Sequence, residues 1–403
     1  MEATICLIGT LDTKGPEILF LKDQIQRLGL RALVVDMGIL GDPPFEPTIS
    51  NREVAKRGGS SIELLVRNRD ETQAQQVMSQ GLKEIVLELM EHKKIKGLIA
   101  IGGGQGSSMV APTLKALPIG FPKILISTKV TQAGLWPYIG PKDVVVIPPV
   151  ADLAGLNRLT RSILANAASA MVGMVRFTQR IEPLGPLVVM SMNGTVTETG
   201  LRIKDWLEAK GYEVVIFHSI GTGGYALEEF VEENEVEAVM ELAVNEINCD
   251  LFEGKASAGP HRITKAGKKG IPQILVPGSA DFINFLGPET VPTQYLNRKI
   301  HRHSQAATLV RTSPQENQKL GEHLAQKLNQ ARGKVVVVWP KKGLSSLDKE
   351  GSVFWDKEAD QALLEALRAN LDPSISIREV DAHINDLQFS KELMVTFEDL
   401  TGT

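Results

Sequence analysis

The chain has 403 residues, 43% of them hydrophobic and 23% charged, and these ordinary globular values exclude a fibrous or fully disordered protein. At roughly 100–200 residues per domain, the length indicates two or three domains. The chain contains 44 Lys and Arg residues and 48 Asp and Glu residues, so its net charge is -4. It therefore has no basic excess that would favour nucleic acid or an anionic membrane as a partner.

The first half alternates short β-branched runs with amphipathic segments. We predict strands at 3–8, 32–36, 97–101, 123–127 and 144–147, and helices at 16–28, 71–92, 107–115 and 156–177. The stretch 38–61 is rich in Gly, Pro and Ser and is predicted to be one long loop.

The turn-rich segment 182–186 contains two prolines and marks a predicted domain boundary, with one domain at 1–182 and another at 183–403. In the second half we predict strands at 187–192, 213–217, 238–242, 271–276, 307–310, 335–339 and 376–380. Helices are predicted at 196–210, 225–234, 314–332, 357–370 and 390–399. This pattern indicates an α/β protein with two doubly wound, Rossmann-like domains, mainly parallel sheets and a cleft between the domains.

Domains of this kind bind ligands at the carboxyl ends of their strands, so the residues after each strand are the candidate site residues. The first strand is followed by Gly9, Thr10, Asp12, Thr13 and Lys14. Backbone N–H groups at a helix start favour anions, the lysine is able to neutralise a phosphate, and the aspartate is able to hold Mg²⁺. A helix cap with a solvated lysine explains the same residues equally well.

The third strand is followed by four glycines within five positions and then by two serines. Such a run lets backbone approach a ligand closely, and we expect it to bind phosphate. It lacks the lysine of a Walker A motif and the glycine spacing of a dinucleotide fingerprint, and a tight turn is the alternative. The predicted nucleotide-binding residues here are Gly102, Gly103, Gly104, Gln105, Gly106, Ser107 and Ser108. Thr128 after the fourth strand joins them, and Asp36 ends the second strand, where related folds place an acid that binds ribose.

The second half has a similar set of strand-end residues. Gly221 and Gly223 match part of a dinucleotide fingerprint, although they follow the second strand of this domain, where the fingerprint is not expected. We therefore also consider that this loop holds the carboxylate or phosphate of a second ligand. The candidate substrate-binding residues are His218, Gly221, Gly223, Gly224, Ser279 and Asn284. The candidate catalytic residues are Glu241, His261 and Asp281, together with Lys14 of the first half.

Several motifs together make the chain resemble the UPF0261 family, the Tm-1-like ATP-binding proteins, over almost its whole length. They are Gly9–Gly15 (GTLDTKG), Ala154–Arg158, Gly221–Gly224, Ser257–Pro260, Pro288–Pro292, Thr308–Thr312 and Val380–Asp386. The family is named after a tomato resistance protein that acts against a tobamovirus. The resemblance implies two Rossmann-like subdomains, of which the first binds ATP, and it favours a homo-oligomer, most simply a dimer.

From the residues and the resemblance together we expect a cytoplasmic ATP-binding protein. Its two cysteines are far apart in the sequence, as is typical of a reducing compartment. An ATP-dependent enzyme that acts on a small acidic metabolite in the cleft, with Mg²⁺ bridging the phosphates, is the first interpretation. A regulatory module that binds ATP without catalysis is the alternative, and a nicotinamide-dependent oxidoreductase is the weaker one.

Overall fold

In the computed structural model the chain divides into two units, Met1–Ile181 and Glu182–Thr403. The structure describes residues 3–130, 134–179 and 181–402. The division falls beside the turn-rich segment at 182–186. Within the described ranges, none of the helices is long and apolar enough to cross a bilayer.

Parallel strands form the central sheet of the first unit in the order β2-β1-β3-β4-β5. The strands are β1 (Thr4–Gly9), β2 (Arg31–Asp36), β3 (Gly97–Gly102), β4 (Lys123–Ser127) and β5 (Val145–Ile147). Nearly every residue of β1, β3 and β4 is buried, because helices cover both faces of the sheet. Two apolar clusters, one on each face, form the core of this unit.

Two helices of this unit begin earlier than predicted, and the helices are more numerous than predicted. They are α1 (Leu11–Arg27), α2 (Asn51–Arg57), α3 (Ile62–Asn68), α4 (Glu71–Glu91), α5 (Gly104–Ala116), α6 (Trp136–Ile139) and α7 (Arg158–Phe177). The prediction of one loop at 38–61 is therefore wrong, since α2 lies within it. Ser50 begins that helix by accepting a hydrogen bond from the Glu53 backbone N–H.

Both predicted ligand loops of the first unit turn out to contain a helix start. The first helix begins at Leu11 rather than near residue 16, and its backbone departs from helical geometry at Lys14. Pro16 follows that break and so lies in the first turn of the regular part, where its missing N–H costs little. The fifth helix begins at Gly104 rather than at Ser107, so the glycine run forms its N-terminus.

The second unit contains a larger parallel sheet, in the order β14-β13-β9-β8-β6-β7. Its strands are β6 (Leu187–Met192), β7 (Glu213–His218), β8 (Ala238–Glu241), β9 (Gln273–Leu275), β13 (Val335–Pro340) and β14 (Ser376–Val380). The helices are α8 (Thr197–Ala209), α9 (Thr222–Glu233), α10 (Asn245–Leu251), α11 (Lys265–Lys269), α12 (Pro314–Leu328), α13 (Lys357–Asn370) and α14 (Leu387–Thr401). The two mainly parallel sheets confirm the predicted α/β, Rossmann-like class.

A small antiparallel sheet was not predicted. It consists of β10 (Phe282–Phe285), β12 (Ala307–Arg311) and β11 (Ile300–Ser304), paired in that order. The predicted strand at 307–310 belongs to this sheet and not to the parallel one. Helix α10 was also missed by the prediction.

Candidate functional site

The carboxyl ends of β1, β2 and β3 open into a cavity of about 620 Å³. Both predicted loops of the first unit contribute to it, which follows from the adjacency of β1 and β3 in the sheet. The predicted site residues that line this cavity are Thr10, Asp12, Thr13, Lys14, Gly103, Gly104, Gln105 and Gly106. The volume lies within the range of ordinary small-molecule sites, roughly 300–1,000 Å³.

The N-terminus of α5 forms one wall of this cavity. Gly103 precedes the helix, and among the described residues no side chain caps it. The first N–H groups of a helix have no partner within the helix, so this end offers donors and a partial positive charge to an anion.

Three glycines at this helix end are not required by the fold. A Cβ atom added at Gly103, Gly104 or Gly106 would meet its nearest neighbour at 3.8, 3.4 and 3.5 Å, which are ordinary contact distances. None of the three has a positive φ angle. Packing and backbone conformation therefore leave these glycines unexplained, whereas a ligand lying close against the helix end would explain all three.

The loop after β1 supplies polar groups to the same cavity. The hydroxyl oxygens of Thr10 and Thr13 lie 2.7 Å apart. The Asp12 carboxylate accepts hydrogen bonds from the Ile39 and Leu40 backbone N–H groups through Oδ2, at 3.1 and 2.8 Å. Its other oxygen, Oδ1, is buried and has no hydrogen-bond partner among the described residues. Asp12 thus fixes the loop after β2, and its second carboxylate oxygen has no partner among the described residues.

Lys14 has a different role from the catalytic one predicted for it. Its ammonium group donates to the backbone carbonyl of Leu153, so it links α1 to the loop before α7. Glu17, one helical turn later, is fully buried and accepts a hydrogen bond from the Gly155 N–H at 2.7 Å. The two side chains hold that loop against α1.

Other residues that were predicted to bind the nucleotide instead stabilise or pack within the fold. Asp36 is 1% exposed, and its Oδ1 accepts from the Leu11 and Gly38 N–H groups, so it cannot reach a ribose in the cavity. Burial raises its pKa above the usual value, with Asp12 adding to the effect and the two N–H donors opposing it. Gly9 and Gly102 are packed against Ile18 and Gly106 respectively.

The two serines of the glycine run also differ from the prediction. Ser107 is fully buried and its hydroxyl bonds to that of Ser127 at 2.7 Å, so it is out of reach of a phosphate. Ser108 is exposed and donates to the carbonyl of Gly104 at 2.9 Å, as a side chain within a helix often does. Thr128 lines a neighbouring cavity rather than this one.

An apolar wall of the cavity escaped the sequence analysis. It is formed by Met37, Ile39, Leu65, Val66, Ala74 and Met109. Half of these residues belong to α3 and α4, and α3 was not predicted. The start of α2 carried a signal that was overlooked, since Ser50 is followed three residues later by Glu53, a pattern typical of a helix start.

In the second unit, the Gly221–Gly224 loop already contains an anionic group of the protein itself. Oε1 of Glu246 accepts hydrogen bonds from the Gly221 and Gly224 N–H groups at 2.7 and 2.9 Å. A Cβ atom at Gly223 would come within 1.8 Å of the His218 carbonyl oxygen. The predictions of a small-anion site and of a nicotinamide site at this loop are therefore wrong, because a buried carboxylate occupies the donors.

Glu241, predicted to be catalytic, belongs to a buried ion-pair cluster. Arg262 is 1% exposed and bonds to both carboxylate oxygens of Glu241 at 2.5 and 2.6 Å. Its Nε also donates to Glu246 at 2.6 Å, and Glu228 lies at 3.4 Å. Burial raises the pKa of Glu228 and of Glu246, while Arg262 opposes the rise. No substrate reaches Glu241 in this arrangement.

Asp281 lies in a second buried cluster of the same kind. Three aspartates, Asp281, Asp348 and Asp360, surround Arg311, which bonds to Asp360 at 2.6 Å. The hydroxyl of Ser345 donates to Asp281 at 2.8 Å. Burial raises the pKa of Asp281 to about 7, and the neighbouring Asp348 carboxylate adds to the rise. Because Asp281 is completely buried, it is not placed to act on a bound substrate.

The remaining predicted residues of the second unit do not form a common site. His218 and His261 are exposed, whereas Ser279 is completely buried and bonds to Thr195 at 2.7 Å. The side-chain oxygen of Asn284 accepts from Asn245 at 2.9 Å. In the part of the chain that the structure describes, no group of three or more His, Cys, Asp or Glu side chains is arranged to hold a metal ion.

Comparison with protein-family models identifies both units. The N-terminal domain of the Uncharacterised protein family (UPF0261) matches residues 3–180, and its C-terminal domain matches residues 185–401. A UPF0261 protein of Clostridium tetani is 38% identical over 393 residues, which cover 97% of each chain. The ToMV susceptible protein tm-1(GCR26) of Solanum lycopersicum is 30% identical over 421 residues, which cover 98% of this chain and 55% of the tomato protein. The resemblance predicted from the motifs is confirmed.

Solved structures resemble the chain only remotely. An uncharacterized protein from Bacillus cereus is 13% identical, covers 84% of this chain and 96% of its own, and has a TM-score of 0.27. A putative UDP-N-acetylglucosamine 2-epimerase from Listeria monocytogenes is 10% identical, covers 100% and 98%, and has a TM-score of 0.24. Likeness at this level carries no argument about the site.

Proposed function

The chain belongs to the Uncharacterised protein family (UPF0261), and we propose that its first unit binds ATP in the cavity at the N-terminus of α5. One observation carries the proposal: Gly103, Gly104 and Gly106 line the cavity although neither packing nor backbone conformation requires glycine there. A triphosphate lying against the helix end would use the free N–H donors and the helix dipole, and any side chain at these positions would obstruct it.

The other walls of the cavity suit the rest of a nucleotide. The apolar wall that includes Leu65, Val66 and Met109 would pack against the base. Asp12 has an oxygen without a protein partner, and carboxylate oxygens are ligands that Mg²⁺ accepts in nucleotide sites. Asp12 is accordingly the residue that would hold the ion, which supplies neutralisation of phosphate charge when it is bound.

We propose further that the protein uses ATP to activate a small acid. The alternative, ATP binding without catalysis, is favoured by a specific observation: the carboxylates predicted to act as acid or base, Glu241 and Asp281, are buried in ion-pair clusters. The two functions differ in turnover. Release of phosphate from ATP in the presence of small carboxylic acids supports an enzyme, and stoichiometric binding with no release above the spontaneous rate supports a binding module.

The ATP site is tested by Gly104→Leu. The new Cβ meets only Lys129 side-chain carbon at 3.4 Å, so the fold should tolerate it, while the rest of the leucine obstructs the helix end. We expect calorimetry to show at least about a hundred-fold loss of ATP affinity, which corresponds to about 2.7 kcal/mol.

A matched control is Gly194→Leu in the second unit. Gly194 is exposed, and an added Cβ there has nothing within 4 Å, so ATP affinity should stay as in the unmodified protein. Unchanged ATP affinity in Gly104→Leu, with the fold preserved by circular dichroism, would refute the assignment of the cavity.

A further inference from the structure

A second cavity of about 500 Å³ lies at the carboxyl ends of β4 and β5 in the first unit. One side is formed by Ser127, the last residue of β4, and by Thr128 and Lys129, which directly follow it. The opposite side is formed by the loop Pro148–Asp152, which follows β5. Thr128 was predicted to bind the nucleotide, and no site was predicted at this loop.

This cavity also adjoins the glycine end of α5. The Thr128 hydroxyl lies 3.8 Å from the position that a Cβ of Gly103 would occupy. The Lys129 Cγ lies 3.4 Å from the corresponding position at Gly104. A ligand held by these two side chains would therefore lie next to phosphates bound at the helix end.

The loop on the far side has an unusual conformation. The Ala151 N–H donates to the Pro149 carbonyl at 2.7 Å, which closes a three-residue turn around Val150. Val150 has a φ of 65°, so the turn is of the rare γ type, and a β-branched residue is strained in it. Such strain persists only where surrounding contacts impose it, and it is concentrated at functional sites.

Two contacts from α1 hold the residues that follow this turn. The ammonium group of Lys14 donates to the Leu153 carbonyl, and the buried Glu17 carboxylate accepts from the Gly155 N–H at 2.7 Å. Both hydrogen bonds are made by residues, Leu153 and Gly155, that lie within five positions after Val150. The wall of the second cavity is thus fixed to the same helix that borders the nucleotide cavity.

We propose that the second cavity binds a small carboxylate, which is the substrate that ATP activates. The ammonium group of Lys129 and the hydroxyl of Thr128 supply the charge and the donor that a carboxylate needs. The acidic side chain of the cavity, Asp152, is engaged by its own loop through the Leu153 N–H at 2.9 Å. The inference rests on the proposed ATP site and places both ligands within the first unit.

This placement also accounts for the second unit. The loop that was expected to bind the acid there, Gly221–Gly224, is filled by Glu246. The predicted catalytic residues Glu241 and Asp281 are buried beside Arg262 and Arg311 respectively. A second ligand has no access to them. The polar residues that line the cavity beside Thr128 include Thr128 itself, Lys129 and Asp152.

The test measures binding of radiolabelled malonate, a small dicarboxylate, by equilibrium dialysis in the presence of saturating AMP-PNP, a non-hydrolysable ATP analogue. We expect millimolar binding to the unmodified protein. Lys129→Met and Thr128→Val should each weaken it about ten-fold, since each removes a hydrogen bond to a charged group. Their AMP-PNP affinity should change less than three-fold. The matched control, Lys56→Met, removes an exposed lysine that lines neither cavity and should bind malonate normally.

The outcomes separate this inference from the ATP proposal. If AMP-PNP binds but malonate does not, or if malonate affinity is the same in Lys129→Met and Thr128→Val as in the control, the second site is refuted and the ATP site stands. If malonate binding depends on Lys129 but AMP-PNP does not bind at all, the ATP proposal is refuted while the carboxylate site remains. Loss of AMP-PNP and malonate binding together in Lys129→Met, with the fold intact, would also refute a separate site.

Discussion

Replacing Glu246 with alanine should destabilise the second unit by removing the anion that fills its glycine loop. In the folded protein, Oε1 accepts from the Gly221 and Gly224 N–H groups at 2.7 and 2.9 Å. Oε2 accepts from Nε of Arg262 at 2.6 Å. The side chain is 1% exposed, so the alanine variant leaves three buried donors without their acceptor.

The size of the effect follows from opposing contributions. An unsatisfied buried donor costs about 1–3 kcal/mol, which for three donors gives roughly 3–9 kcal/mol before any relief. Two factors offset part of this free-energy cost. Arg262 keeps Glu241 as an ion-pair partner, and the substitution removes one of the three carboxylates around Arg262, each of which is costly to bury. We expect a net loss of about 3 kcal/mol, which lowers the melting temperature of a domain of this size by about 6–12 °C.

Two measurements check this prediction. Scanning calorimetry gives the melting temperature, and hydrogen–deuterium exchange of a peptide that spans the loop reports whether the Gly221 and Gly224 amides lose protection. The control is Glu235→Ala, which removes an exposed glutamate just after α9 and should change neither quantity. If Glu246→Ala melts within about 2 °C of the unmodified protein and the loop amides exchange no faster, the carboxylate does not hold this loop.

Three further predictions concern pH, thiols and assembly. Since burial raises the pKa of Asp281 to about 7, the folded protein binds this proton more tightly than the unfolded chain, and the melting temperature should fall as the pH rises from about 4 to 7. Asp281→Asn should flatten that slope in calorimetry, and an unchanged slope would contradict the assignment. Burial raises the pKa of Cys6 and of Cys249 to about 12, so neither should react with Ellman's reagent at pH 8 before unfolding, and prompt release of one equivalent would contradict this. Light scattering should give twice the mass of one chain for the expected dimer, and a monomer mass would contradict it.

The buried parallel strands were predictable because a single physical signal marks them. A strand that is covered on both faces appears in the sequence as a continuous apolar run. The strand predicted at 187–192 from such a run has the same first and last residues as β6. Helix starts were less predictable. Gly104 and Leu11 begin helices inside segments that composition assigns to loops, since small and polar residues are well tolerated in a first turn whose N–H groups need no helical acceptor.

The antiparallel sheet shows a different limit of sequence reasoning. The strand Ile300–Ser304 lies at an edge and is mostly exposed, so it shows neither the continuous apolar run nor the alternation by which strands are recognised. Phe282–Phe285 has only four residues and directly follows a turn that contains Ser279 at a φ of 57°. Both strands are defined by pairing with Ala307–Arg311, which is a tertiary contact that no local pattern encodes.

The candidate site shows why a glycine loop alone does not identify a ligand. In sequence, the loops at Gly103–Gly106 and Gly221–Gly224 are both glycine-rich candidates, and the second matches part of a nucleotide fingerprint. The difference lies in what each loop meets in space. Glu246, 25 residues further along the chain, fills the second loop, and Gly223 has no room for a Cβ.

At Gly103, Gly104 and Gly106 neither condition holds, because a Cβ would fit and no side chain of the described residues caps the helix. Glycines that the fold requires are explained by the fold, and only those that it does not require call for a ligand. By this criterion the glycines of the first unit favour the proposed anion site, whereas the glycine loop of the second unit is already occupied by the Glu246 carboxylate.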